Sequence, residues 1–125
     1  MNYRFISHGR CIVLYLSGNI EAGAIHQLRS ELSGVLPRTG EPLIIDACDI
    51  SAKENQMVYV AGLLNAIRRE IDYRSGLLQI GSVPVFLRNY LERTGIDLLF
   101  SISGDTCKAI ELFKAGGDHE YNRTA

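Results

Sequence analysis

The chain has 125 residues and a formal net charge of −1, and hydrophobic residues make up 46% of it. This length suits one domain with a single core, and the hydrophobic fraction excludes wholesale disorder. Binding nucleic acid without sequence preference needs an excess of basic residues, and the balanced charge argues against it. No apolar run approaches the roughly 20 residues that cross a bilayer. Neither a nucleic acid nor a membrane is therefore expected as a partner.

The first third of the chain predicts a hairpin followed by a helix. Residues 3–7 and 11–17 are β-prone, and Gly9 between them can supply the turn. From residue 19 to 36 the apolar period changes to three and four residues, which predicts an amphipathic helix ended by Pro37 and Gly40. Its apolar stripe is Ile25, Leu28, Leu32 and Val35.

The middle of the chain predicts a strand, a loop, a helix and a second strand. Residues 43–45 are a short apolar run ending at Asp46, typical of a strand buried on both faces. A polar loop is predicted over 48–56, and residues 77–80 predict the next buried strand. The helix between them carries the apolar stripe Met57, Val60, Ala61, Leu64, Ile67 and Ile71.

The last third predicts two further helices around one strand. Pro84 suits the first turn of a helix carrying Leu87 and Leu91, and residues 98–102 predict a strand. Either Asp105 or Ser103 can cap a final helix, whose Ile110 and Phe113 are expected to face inward. Residues 118–125 form a polar end.

The order β-β-α-β-α-β-α-β-α predicts a small single-domain α/β sandwich. Its sheet is expected to be mixed and mainly parallel, with four or five strands and about four helices. We assign residues 1–115 to the domain and residues 116–125 to a C-terminal tail.

The three cysteines, Cys11, Cys48 and Cys107, are too far apart for a metal knuckle and odd in number. Each is interpreted as a free thiol among apolar residues, which predicts a reducing, cytoplasmic location.

No active site is evident in the sequence. His26 and Ser30 share a helix face but lack an orienting group, and the cluster at residues 118–120 has no further metal ligand nearby. Gly18 and Gly23 lack the spacing of a phosphate-binding loop. We expect no enzyme activity, no metal and no cofactor.

Three phrases of the sequence carry a family resemblance: residues 14–22 (LYLSGNIEA), 43–46 (LIID) and 87–100 (LRNYLERTGIDLLF). In their order and spacing they resemble the STAS domain, the fold of bacterial anti-sigma factor antagonists, across about residues 3 to 114. The resemblance implies the STAS-like α/β fold described above.

The resemblance also implies a regulatory position in the loop before the second helix. Family members carry there an Asp-Ser pair whose serine is phosphorylated by a partner kinase that doubles as an anti-sigma factor. The pair falls on Glu54 and Asn55, and Asn55 has no hydroxyl to phosphorylate. Ser51 is the nearest substitute in the same loop. A plainer interpretation is that Ser51 or Asn55 caps the helix through its side-chain oxygen.

The resulting hypothesis is a non-enzymatic protein-binding module for signal transduction and transcription regulation by partner switching. It would dock an anti-sigma factor, a serine-kinase-like protein or another signalling protein. The contact residues are predicted to be Ser51, Lys53, Glu54, Asn55, Gln56 and Tyr59. Alternatives left open are a scaffold subunit of a multi-protein STAS assembly and a small-ligand sensor. A homodimer is also left open.

Overall fold

The structure is a computed structural model that describes residues 1–36, 41–74 and 76–113. Its strands are β1 (Asn2–His8), β2 (Cys11–Asn19), β3 (Leu43–Ser51) and β4 (Leu78–Ile80). Its helices are α1 (Ala22–Val35), α2 (Met57–Tyr73), α3 (Val85–Thr94) and α4 (residues 106–113). Short 3₁₀ turns cover Glu54–Gln56 and Ile96–Leu99.

The four strands form one mixed sheet in the order β1-β2-β3-β4. β1 and β2 pair antiparallel through the predicted hairpin, where Gly9 adopts a φ of 72° that a residue with a side chain rarely takes. β2 pairs parallel with β3, and β3 with β4, because α1 and α2 carry the chain back between them. The predicted α/β class and mainly parallel sheet are confirmed.

Hydrophobic packing covers both sides of the sheet. On one side Leu14 and Ile45 join a large cluster with the buried stripes of α1, α2 and α3. Neighbouring residues of the same strands, Val13 and Ile44, point to the opposite side and pack beneath α4. The predicted apolar stripes are buried, and only the Val35 side chain lies outside the described residues.

The strand predicted over residues 98–102 is wrong. Gly95 ends α3 with a φ of 76°, and the chain continues into the 3₁₀ turn Ile96–Leu99. Leu98 is 85% exposed and Leu99 is 52% exposed, whereas Phe100 and Ile102 are half-buried against the core. In the described residues its strand-like pairing with the sheet is limited to an isolated bridge between Ile102 and Ile80.

The loop predicted over residues 48–56 is also wrong in its first half. β3 continues to Ser51 because Ile50 returns to the core at 4% exposure. A register shift in β2 between Tyr15 and Ser17 keeps the two strands paired through this stretch, up to Asn19 opposite Ser51.

Two of the three cysteines do not lie in the core. Cys11 is buried as predicted, whereas Cys48 and Cys107 are exposed.

Of the two residues predicted to cap the last helix, Asp105 is the one that does so, because its Oδ1 accepts the backbone N–H of Cys107 at 2.8 Å. The predicted helix stop at Pro37 and Gly40 and the predicted tail at 116–125 lie outside the described residues.

Candidate functional site

The candidate site lies where β2 and β3 end and α2 begins. The backbone N–H of Ile20 donates to the carbonyl of Ser51 at 2.9 Å, which holds the two strand ends together. The Ser51 hydroxyl donates to Oδ1 of Asn19 at 2.5 Å. Ser51 is exposed, and its hydroxyl faces an amide rather than a base.

A tight turn connects the end of β3 to α2. The Lys53 backbone N–H donates to Oε1 of Gln56 at 2.9 Å, and the Gln56 N–H donates back to the Lys53 carbonyl at 2.8 Å. This reciprocal pair fixes the turn and directs the side chains of Glu54 and Asn55 to solvent. Met57, only 8% exposed, anchors the following helix in the core.

Neither residue predicted as a helix cap serves as one. Ser51 belongs to β3 and bonds to Asn19, while the first residues of the turn and of α2 receive no side-chain cap bond. Asn55 makes no side-chain hydrogen bond within the described part of the chain. Its amide is therefore available to another molecule.

An open depression of about 400 Å³ lies beside the turn. It brings together three of the predicted site residues, Ser51, Lys53 and Gln56, with Asn19 at the end of β2 and Glu21 at the start of α1. Glu54, Asn55 and Tyr59 do not line it and project from the surface next to it. The site is thus a polar depression bordered by a protruding turn.

An apolar and aromatic patch adjoins the turn on the first helical turn of α2. Tyr59 is 44% exposed, as its predicted position off the buried stripe requires, and Val58 is 57% exposed. Large aromatic side chains with exposed area are frequent anchors of protein interfaces.

The end of α3 also reaches this site, which the sequence analysis missed. Nη2 of Arg93 lies 3.9 Å from Oε1 of Glu54, and the Arg93 guanidinium stacks 5.6 Å from the Tyr90 ring centroid. Both ionic groups are largely exposed, so the pair adds little stability. The only hint in the sequence was the i, i+3 spacing of Tyr90 and Arg93, which does not reveal a neighbour so far along the chain.

The described residues do not assemble the catalytic candidates that the sequence offered. The Ser30 hydroxyl donates to the Gln27 carbonyl at 2.8 Å rather than pairing with His26. Over residues 1–36, 41–74 and 76–113 no three His, Cys, Asp or Glu side chains are placed to hold a metal ion, and the cluster at 118–120 lies outside them. Within the same ranges, no helix combines the length and apolarity needed to span a bilayer.

A second polar cluster lies on the α4 side of the sheet, around the buried carboxylate of Asp46. Its Oδ1 accepts the Cys48 N–H at 3.1 Å. Hydrogen bonding to this carboxylate, with a smaller contribution from burial, raises the pKa of the exposed Cys48 thiol to about 12. Burial and then the charge of Asp46 raise the pKa of Tyr15 above its usual range, against the Arg4 guanidinium 5.2 Å from its ring. The cluster therefore makes both groups harder to deprotonate than they would be in water.

Comparison with known proteins finds similarity in structure alone. No family model matches the chain, and no curated protein does. The anti-sigma factor antagonist SpoIIAA in its unphosphorylated form aligns with a TM-score of 0.67 at 16% identity, covering 91% of this chain and 97% of that one. The Bacillus cell fate determinant SpoIIAA in its phosphorylated form gives 0.58 at 16% identity, covering 90% and 99%.

An anti-sigma factor antagonist from Mycobacterium paratuberculosis gives a TM-score of 0.61 at 17% identity, covering 89% of this chain and 92% of that chain. Because nearly the whole of each chain is aligned, the likeness concerns the complete fold rather than one motif. At these identities it establishes the architecture and not the activity. The chain has the STAS-like fold of the anti-sigma factor antagonists.

Proposed function

We propose that this protein is a non-enzymatic regulatory module that docks a protein partner through the turn surface, defined as Ser51, Lys53, Glu54, Asn55, Gln56 and Tyr59. Residues 1–115 would form its folded domain. The observation that carries the proposal is the fixed turn between β3 and α2, which presents an unbonded Asn55 beside the exposed ring of Tyr59. A preformed surface loses little conformational entropy on binding, which favours recognition of a partner.

The fold suggests the class of partner. SpoIIAA is an anti-sigma factor antagonist that exists in unphosphorylated and phosphorylated forms. By analogy, the partner of this chain is an anti-sigma factor of the serine-kinase type or a related signalling protein. In the STAS resemblance Asn55 takes the place of the phosphorylated serine, so this surface stays in a neutral state that a kinase cannot change at position 55.

Ser51 is the alternative position for phosphorylation, and its surroundings define the consequence. A phosphate there would add about −1.5 to −2 charges. It would break the bond from the Ser51 hydroxyl to Asn19 and place this charge in the depression that also holds Glu21 and Lys53. Repulsion from Glu21 and the changed shape at the turn would then weaken docking.

The test is affinity capture from the source cell's lysate, with and without ATP, using the full chain and three variants. Tyr59→Ala and Asn55→Asp alter the turn surface, and Leu112→Ala is the control because Leu112 is 62% exposed on α4, on the other side of the sheet. We expect a kinase-like ATPase or another signalling protein to be captured by the wild type and the control, and much less by the two turn variants.

Mass spectrometry of the same samples separates the two forms of regulation. Loss of capture with ATP, together with phosphate on Ser51, supports switching through that residue. Capture that ignores ATP, with no phosphate found, supports a constitutive antagonist. Equal capture by Tyr59→Ala, Asn55→Asp and wild type would contradict the proposed surface.

A scaffold subunit is the second candidate, favoured by exposed apolar side chains outside the turn surface. Val85 is 74% exposed and Leu98 is 85% exposed. Such side chains offer apolar area for contacts with further subunits of an assembly. Light scattering distinguishes the candidates, because a scaffold forms particles well beyond a dimer and a monomer contradicts that role.

A further inference from the structure

The solvent-facing side of α2 has small residues in its middle and tyrosines at both ends. Gly62, Ala66 and Arg69 lie at i, i+4 and i+7, so they share one face of the helix. Apart from its own chain neighbours and the adjacent backbone of α2, no atom of the described chain lies within 4 Å of a Cβ built on Gly62. A helix-interior glycine lowers helix stability relative to alanine, and packing within this chain does not require one here.

A groove runs between α1 and α2 next to this face. An open depression of about 270 Å³ is lined by Arg29 and Leu32 of α1 and by Ala66, Arg69 and Glu70 of α2. The two helices lie side by side, since the Arg74 Nη1 at the end of α2 donates to the Leu36 carbonyl at the end of α1. We call the surface formed by Arg29, Leu32, Gly62, Ala66 and Arg69 the α1–α2 groove.

The acidic side chains near the groove form ion pairs with arginines that do not belong to it. Oε2 of Glu70 lies 3.8 Å from Nε of Arg74, and Oδ2 of Asp72 lies 3.2 Å from Nη1 of Arg68. The acidic groups of α2 near the groove therefore already have partners.

The two arginines of the groove, in contrast, have no acidic partner in the described residues. Arg29 and Arg69 make no ion pair or hydrogen bond with any side chain in the described ranges. The two guanidinium groups thus border a depression to which Ala66 adds apolar surface, with Gly62 one helical turn away on the same face, whereas Leu32 is only 3% exposed. Guanidinium groups bind carboxylates in a bidentate geometry and are enriched at protein interfaces.

We propose that the α1–α2 groove docks an amphipathic helix of a protein partner, in which an apolar seam is flanked by Asp or Glu. The absent side chain at Gly62 lets the partner's backbone approach closely, and its carboxylates pair with Arg29 and Arg69. From Gly62 to Tyr73, beyond the turn surface, the face spans about 16 Å, which a partner helix of about 11 residues or more can cover. A second copy of this chain fits less well, because it would bring the same arginines face to face.

This docking surface is separate from the proposed function of the turn. The groove begins one helical turn beyond Tyr59 and continues away from Asn55, so the two surfaces can be changed independently. One can therefore fail while the other holds.

The test uses two synthetic helical peptides of about 14 residues with the same Ala/Leu seam, one flanked by Glu and the other by Lys. Each is titrated into the ¹⁵N-labelled full chain and followed by NMR. We expect the Glu peptide to bind at least about tenfold more tightly than the Lys peptide, with the amide shifts centred on Gly62 and Ala66. Added salt should weaken this binding.

Variants give the matched controls. Arg29→Glu combined with Arg69→Glu should reverse the preference to the Lys peptide, whereas Arg10→Glu, at an exposed arginine of the hairpin turn, should leave it unchanged. Gly62→Leu should abolish binding while the dispersed spectrum shows that the fold remains. Equal affinity for both peptides, an unchanged preference in the double variant, or shifts centred on the turn surface would overturn the proposal. Line broadening of the groove amides with protein concentration alone would also overturn it, in favour of a second copy.

Discussion

One buried hydroxyl, that of Thr106, helps to attach α4 to the rest of the fold beside its hydrophobic packing, and replacing it tests how much it contributes. Oγ1 of Thr106, a residue only 5% exposed, accepts the Ser82 backbone N–H at 3.0 Å and donates to the Ser82 hydroxyl at 3.0 Å. Thr106→Val keeps the shape but removes both bonds and leaves the Ser82 N–H without its partner. At about 1 kcal/mol for each bond, the expected loss of unfolding free energy is about 2 kcal/mol.

This loss converts into a measurable shift of melting temperature. With an unfolding entropy of about 2.1 cal/mol/K per residue, 125 residues give a fall in Tm of about 8 °C. Urea and thermal unfolding followed by circular dichroism measure both quantities. The control is Thr106→Ser, which keeps the hydroxyl and removes one methyl group worth about 0.8 kcal/mol.

The unfolding free energies of Thr106→Val and Thr106→Ser, compared with each other, show whether the Thr106 hydroxyl stabilises the fold. Thr106→Val should be clearly the less stable, and Ser82→Ala should cost less in the Thr106→Val background than in the wild type. If Thr106→Val is no less stable than Thr106→Ser, the hydroxyl does not hold α4 in place and the reasoning is refuted.

Three further predictions use the same unfolding assay or thiol chemistry. Gly62→Ala should raise the unfolding free energy by about 0.5–1 kcal/mol, because the added methyl meets no atom of the described chain; a loss of stability would contradict this. Gly81→Ala should lower it by about 1–3 kcal/mol, since its Cβ would lie 2.9 Å from the backbone of α4; an unchanged midpoint would count against that contact. Cys48, with a pKa of about 12, should react with a disulfide reagent at pH 8 far more slowly than Cys107, and faster with each unit of rising pH. Asp46→Asn should lower this pKa and speed the reaction of Cys48, and equal rates in the wild type would refute the assignment.

The elements with strong periodicity could be predicted from the sequence. The buried stripe of α2, for example, needs only the three- and four-residue spacing of residues such as Val60, Leu64 and Ile71. The hairpin at Gly9 likewise follows from local turn chemistry.

The errors arise where local pattern and tertiary contact disagree. Leu98 and Leu99 belong to an apolar run that predicts a strand, but Gly95 leads the chain into a 3₁₀ turn there, pairing with β4 is limited to Ile102, and both leucines remain exposed. Cys48 follows an apolar run in the sequence, yet it is exposed beside the Asp46 carboxylate. Burial of this kind depends on which helix covers which face, and periodicity does not reveal it.

The candidate site shows the same division. The exposure of Tyr59 follows from its position off the α2 stripe. The bond from Ser51 to Asn19 and the contact of Arg93 with Glu54 join residues about 32 and 39 positions apart, so no local rule could predict them. The resemblance to the STAS domain predicted the fold correctly, and the roles of the turn residues remain predictions.

The most direct measurement of the central claim is hydrogen exchange on the complex with the captured partner. The account predicts that binding slows exchange of the backbone amides from residue 53 to 60, at the turn and the first turns of α2. Exchange over residues 106–113, on the opposite side of the sheet, should remain as in the free protein. Protection of α4 with no change at the turn would contradict docking through the turn surface.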